Sequence, residues 1–274
     1  MRPTGRYELK YVVEEDRARA IADYVKGYLR PSPHNDSGPI PGHPVISLYM
    51  DSPNYFLYRQ VFEGHRNRFK LRIRFYDNDW KHPAVLEIKH RKGDVIAKDR
   101  AVITREGVRK FLTEGWPNPS HWPDVGLLVK SKRQFDVYYE FWRLANLLRA
   151  RGAFYISYVR EVFESDEDEE LRVTLDRHVH GTWYDGTGRL HVPPEGLPPA
   201  SNTEPYFIPR DGVILEMKYD ERAPRWMYDL AKIFNLRRQS FCKYNACASA
   251  HGNPIGGCPM PRRGEPLIIT QWTC

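Results

Sequence analysis

The stretch RFKLRIRFY, residues 68–76, decides how the rest of the chain is read. Side chains alternate between the two faces of a strand, so Arg68, Lys70, Arg72 and Arg74 form one file and Phe69, Leu71, Ile73 and Phe75 the other. The apolar file is an ordinary buried face. The basic file is not an ordinary wet one, because neighbouring like charges repel and need either open water or an anion to face.

The same layout recurs along the chain. RYELKYVV (6–13) alternates Glu8 and Lys10 against Tyr7, Leu9 and Tyr11, and AVLEIKHRK (84–92) alternates Glu87 and Lys89 against Leu86 and Ile88. DVIAKDRAVIT (94–104) carries Lys98 and Arg100 on one face, and GDV at 93–95 makes these last two a hairpin. AFYISYVREVFES (153–165) carries Tyr158 and Arg160, ELRVTLDRHVHGTWY (170–184) carries Arg172, Thr174 and Asp176, and GVILEMKYD (212–220) carries Glu216 and Lys218. One wet face of an antiparallel sheet explains any single strand. It does not explain all of them, since wet faces mix signs and are rich in Thr, Ser and Gln. If antiparallel strands of this kind close into a barrel with the helices outside, an α+β fold, the charged faces point into one lumen. Such a lumen is costly to leave without an anion.

Helical periodicity appears at 14–29, with Ala18, Ile21, Ala22, Val25 and Leu29 on one face, across 106–150, and at 223–236, with 237–250 continuing into a further helix. NYFLYRQVFEGH (54–65) reads as a short helix or turn. Loops are expected at 31–44 and 193–209, both rich in proline, and the acidic ESDEDEE (164–170) reads as a solvated hairpin tip. Residues 1–250 form one expected domain, with a Pro/Gly/Cys-containing tail at 251–274.

Of 274 residues, 41% are hydrophobic, enough for one large core, and the net charge of +7 favours an anionic partner. No apolar run reaches membrane-spanning length, and residues 1–20 lack the apolar core of a secretory signal, so a cytoplasmic protein is expected. The cysteines, Cys242, Cys247, Cys258 and Cys274, include no Cys-x-x-Cys pair; free thiols are expected over a zinc site with His251. A nucleic-acid binder would present a basic surface helix or an aromatic strand platform, and neither is legible.

Alternating Lys and Arg suit a linear run of phosphates, Arg gripping oxygens in pairs and Lys supplying point charges. Carboxylates among the bases make sense as ligands for Mg²⁺ or Mn²⁺; Glu8, Glu87 and Glu216 are the candidates, the alternative being that each pairs with a neighbouring Lys or Arg.

In chain order, RYELKY, PVISLYMDS, KLRIR, LEIK, VIAKDR, SYVRE, LRVTLD, LEMK and FCKY resemble the VTC domain, the polyphosphate polymerase branch of the triphosphate tunnel metalloenzymes, over roughly residues 6–244. The resemblance implies an eight-stranded antiparallel tunnel and transfer of the γ-phosphate of ATP onto a growing polyphosphate chain, with a divalent metal, Mn²⁺ or Mg²⁺. It assigns Lys10, Arg72, Arg74 and Lys89 to phosphate binding, continued by Lys98, Arg160, Arg172 and Lys218. Lys70 and Arg100 share those inward faces. Tyr158 matches a position lying against the nucleotide base, Glu216 the metal-binding glutamate, and Lys243 the lysine of a Ser-Lys pair whose serine is here Cys242, a weak hydrogen-bond donor.

Hydrolytic tunnel enzymes open with Glu-x-Glu-x-Lys, whereas this chain has Arg6-Tyr7-Glu8-Leu9-Lys10. Replacing one acidic ligand with a cation disfavours water activation and favours a phosphate acceptor. Arg72, Arg74, Lys89 and Glu216 are therefore the expected catalytic group. A tripolyphosphatase or nucleoside triphosphatase on the same scaffold and a non-catalytic polyphosphate-binding module are the alternatives. The regulatory domain and membrane helices of some family members have no counterpart in this stretch. His90 and His178 are expected to face outward.

Overall fold

The structure, a computed structural model, describes residues 7–35, 40–115, 126–128, 131–167, 171–188, 190, 212–239, 241–252 and 254. Strands β1 (Tyr7–Val13), β3 (His43–Asp51), β4 (Asn67–Phe75), β5 (Ala84–Lys92), β6 (Val95–Ile103), β7 (Arg151–Glu164), β8 (Arg172–Trp183) and β9 (Val213–Tyr219) form one antiparallel sheet in the order β1-β9-β8-β7-β3-β4-β5-β6; the two-residue β2 (Arg30–Pro31) adds to β7. The helices are α1 (Glu15–Val25), α2 (Phe56–Phe62), α3 (Arg105–Glu114), α4 (Lys132–Leu147), α5 (Arg225–Ile233) and α6 (Lys243–Ala250).

Local chemistry explains the element ends. Gly93, at φ 60°, supplies the left-handed position that turns β5 into β6. Thr104 caps α3 by accepting from the Gly107 amide at 3.0 Å, and Ser131 caps α4 through Gln134 at 3.2 Å. The expected helical region 106–150 is therefore two helices, α3 ending before Gly115 at φ 99°. The loop expected at 193–209, the acidic tip at 168–170 and nearly all of the tail lie outside the described residues; β7 and β8 flank that tip as an antiparallel pair, Glu164 opposite Arg172.

The apolar strand faces are covered as the alternation requires. Leu48, Leu71, Ile73, Leu86 and Ile88 pack under α3 and α4, while Tyr11, Val173, Leu175, Leu215 and Met217 pack under α1 and α5. Two expectations need correction. Strand pairing does not close the barrel: β1 and β6 end the hydrogen-bonded path, although they come within 8 Å Cα to Cα. Across the gap Lys89 of β5 reaches Glu8 of β1 at 3.2 Å, and on the β1 side the Gln239 amide donates to the Lys10 carbonyl at 2.9 Å. That contact occupies the residues expected to begin the last helix, which starts only at Lys243.

The second correction concerns the helices. The inward face is not charged along its whole length: Val45, Tyr49, Ile156 and Ile214 are apolar and need cover. α6 provides it, with Tyr244, Ala246, Cys247 and Ala248 buried against them, so this helix packs into one end of the channel instead of lying outside it. Gly181 allows the approach, since a Cβ there would stand 3.1 Å from Cys247 Cβ and 2.4 Å from the Phe154 ring.

Candidate functional site: a basic channel

Strand alternation delivers the predicted side chains to one channel. Around Glu216, in the middle of β9, stand Lys218 at 2.8 Å, Lys10 at 3.0 Å, Lys243 at 3.0 Å and Arg160 at 3.2 Å. Burial alone would raise the Glu216 carboxyl, but Lys10, Lys218 and Lys243 hold it well below the usual carboxylate range. Asp176 sits beside it, gripped bidentately by Arg160 at 2.6 and 2.7 Å and by Lys243 at 2.5 Å. Burial works against the Lys243 ammonium, yet Asp176 and Glu216 keep it firmly charged. Lys243 reaches this point because it is the first residue of α6, so the helix that packs into the channel also arms it.

A second centre lies on β4 and β5. Glu87, fully buried, pairs with Arg72 and lies 3.6 Å from Arg74 and 3.5 Å from Arg100. Arg72 also donates to Tyr49 Oη at 3.2 Å, and Arg74 to Ser47 Oγ at 3.3 Å and Tyr158 Oη at 3.4 Å. Arg72 Nε is buried without a hydrogen-bond partner, and Glu87 Oε2 accepts no hydrogen bond, held instead by its ion pairs with Arg74 and Arg100. Lys98 stands near Glu87 and Lys89; burial, with Lys89 adding to it, drives Lys98 well below its ordinary value. Burial likewise pushes Lys89 down to about 7, although Glu8 lies 3.2 Å away.

At one opening, Lys70 Nζ lies 2.7 Å from Cys242 Sγ. Burial raises that thiol, but the Lys70 ammonium outweighs it and brings the group down to about 7. A cavity of about 300 Å³ runs outward from there, lined by Lys10, Lys89, Arg68, Arg91 and Arg238. Arg172 pairs with Glu164 at 2.7 Å and is about one-third exposed, so it belongs to the rim. Arg100 is likewise half exposed. Basic groups outnumber the carboxylates throughout, and the excess charge faces inward.

The candidate metal ligands do not converge. Among the described residues no three His, Cys, Asp or Glu side chains are grouped to hold an ion, and Glu87 stands with its own arginines apart from Glu8 and Glu216. The geometry instead couples Glu216 with Asp176, which lies on the same strand face as Arg172 and could have been read from that parity. The Tyr158 ring is not bare: Arg160 Cζ and Lys243 Nζ stand 5.1 and 4.9 Å from its centroid. His90 faces outward, 3.3 Å from Asp99, and His178 is exposed. Cys242 and Cys247 are free thiols, and Arg6, Cys258 and Cys274 lie outside the described residues. No helix among the described residues is long and apolar enough to cross a membrane.

Two solved structures are similar over most of their length. One, titled a "putative adenylate cyclase" from Bacillus halodurans, is 12% identical, with 87% of this chain and 95% of that chain covered and a TM-score of 0.45. The other, the PH1819 protein from Pyrococcus horikoshii OT3, is 14% identical, with 86% and 94% covered and a TM-score of 0.37. No curated protein matches the sequence. The VTC domain family model matches residues 5–251, nearly the entire described chain, and with its motif lysines and arginines gathered in one channel the chain belongs to the VTC domain family.

Proposed function

We propose that this protein is a polyphosphate polymerase that transfers the γ-phosphate of ATP to the end of a polyphosphate chain. Family membership supports a tunnel enzyme handling polyphosphate or triphosphate. The observation that carries the reading further is the inward excess of fixed cations, above all Arg72 and Arg74 on one wall and Lys10, Lys218, Lys243 and Arg160 on the other. A phosphate chain between these walls would take over cations that Glu87, Asp176 and Glu216 now share.

In that reading a terminal phosphate oxygen of the acceptor, already ionised at neutral pH, attacks the γ-phosphorus. The bond from that phosphorus to the bridging oxygen of ADP breaks, and the acceptor lengthens by one unit. No base is needed to generate the nucleophile, in keeping with a channel whose inward strand positions carry no histidine among Glu8–Lys10, Lys70–Arg74, Glu87–Lys89, Tyr158–Arg160 and Glu216–Lys218. Arg72, Arg74 and Lys89 offset charge on the transferred group, and Lys218 and Lys243 hold the leaving or accepting phosphates in line.

The hard oxygen donors of Glu216 and Glu8 fit a divalent ion that draws its remaining ligands from phosphate and water. Such an ion, Mg²⁺ or Mn²⁺, would supply neutralisation of phosphate charge. Purified protein with ATP and Mn²⁺, followed for polymer on a gel and for free phosphate beside Arg74→Ala and Glu216→Ala, tests the reading. Long polymer from the wild type, lost at least a hundredfold in both variants, is expected. Free phosphate without polymer would mean a hydrolase, and neither product with retained triphosphate binding would mean a binding module.

A further inference from the structure

The inward files continue past the phosphate-binding cations, and at one end of the channel they turn aromatic. On β3 the inward parity runs Tyr49, Ser47, Val45, His43; on β4 it runs Arg72, Arg74 and then Tyr76, one residue beyond the strand. His43 is the β3 residue opposite Arg160. The His43 ring lies 6.1 Å from Tyr76 and 6.4 Å from His34, centroid to centroid. Three rings therefore edge this end of the channel, with Arg160 opposite His43 and Arg74 deeper along β4. Tyr76 is 41% exposed, while His43 is only partly exposed and its Nδ1 is buried with no hydrogen-bond partner. Burial, with Arg160 close by, lowers the basicity of His43 and favours a neutral ring.

We infer that His43 and Tyr76 form the seat for the purine base of the nucleoside triphosphate, fixing the nucleotide with its base at this rim and its phosphates pointing inward past Arg74 and Arg160. The inference rests on the triphosphate-binding reading of the channel. It moves base recognition away from Tyr158, whose ring is buried and already attended by Arg160 and Lys243. The rings of the rim are already in contact with one another, so a base stacks on their outward side, with Tyr76 as the open platform. The opposite opening, edged by Arg68, Arg91 and Arg238, is suited to more phosphate and not to a nucleoside.

The test is calorimetric titration of ATP and of inorganic triphosphate into the wild type, Tyr76→Ala, His43→Ala and His43→Phe. Loss of one base–aromatic stack predicts ATP binding about tenfold weaker in Tyr76→Ala and in His43→Ala. Triphosphate binding, blind to a base seat, should stay within about twofold in every variant, which also reports that each is folded. His43→Phe, which keeps an aromatic ring at this position, should keep most of the ATP affinity. ATP binding unchanged in both alanine variants, or ATP and triphosphate lost in parallel, would overturn the base seat while leaving the channel's anion binding intact. Failure of the wild type to bind either ligand would instead sink the reading on which it rests.

Discussion

Cys242 illustrates how a single residue can be read correctly by type and incompletely by surroundings. From sequence it is a thiol where related chains carry a serine, a weaker donor to phosphate. In place it lies 2.7 Å from the Lys70 ammonium and titrates near 7. Alkylation by iodoacetamide, mapped by mass spectrometry, should therefore rise through pH 7 at Cys242, shift upward toward the ordinary thiol value of about 8.5 in Lys70→Met, and be slowed by inorganic triphosphate. Cys247, pushed far upward by burial, should stay unmodified over the same range. A midpoint at the ordinary value in the wild type would show that Lys70 does not act on this sulfur. The inward lysines and arginines themselves were legible because a strand has a period of two and leaves no choice of face once the apolar file is buried. Their partners were not. That Glu216 meets four cations, or that Asp176 shares Arg160 and Lys243 with it, depends on strands far apart in sequence.

At the scale of elements, α6 is the least expected feature. Its eight residues carry little amphipathic pattern, because it is buried nearly all round, and periodicity gives no direction to such a helix. Its anchor is Asp51, at the end of β3. That carboxylate accepts from the amides of Ser52 at 2.8 Å, Leu57 at 2.9 Å and Tyr58 at 2.9 Å, and from Tyr244 Oη at 2.9 Å. Asn245 adds a bond to the Tyr58 carbonyl at 3.0 Å. One side chain thus ties β3, α2 and α6 together. Asp51→Asn exchanges an acceptor oxygen for a donor facing donors, and should cost about 1–3 kcal/mol in a denaturant titration. Burial raises the Asp51 carboxyl from 3.8 to about 6. With the folded value above the unfolded one, its contribution is complete below the lower value and lost as pH rises through the upper. The stability gap between wild type and variant should accordingly narrow between pH 4 and pH 6. An unchanged denaturation midpoint in the variant would rule out Asp51 as the anchor.

At the scale of the molecule, a channel whose bases outnumber its acids should be stabilised by whatever anion fills it. Inorganic triphosphate at a hundredfold excess over its Kd should raise the melting temperature by about 5 °C or more. Chloride at equal ionic strength should not, and high salt should erode the gain only in part, since buried charges are poorly screened. Equal stabilisation by both anions would mean no built site. The architecture was legible at this scale as a set of antiparallel strands, but the open seam was not, because β1 and β6 approach without strand pairing and the Lys89–Glu8 ion pair reaches across from β5. The pairing of β1 with β9, Val13 opposite Val213, carries a consequence for how the protein is made. Emerging from the ribosome, β1 waits for a partner about 200 residues behind it, and the lysine of α6 comes later still. Until then β1 and β8 lack the strand that joins them and the acid cluster is short of Lys243, so the charged channel cannot assemble piece by piece as its strands are made, and comes together only once α6 has emerged.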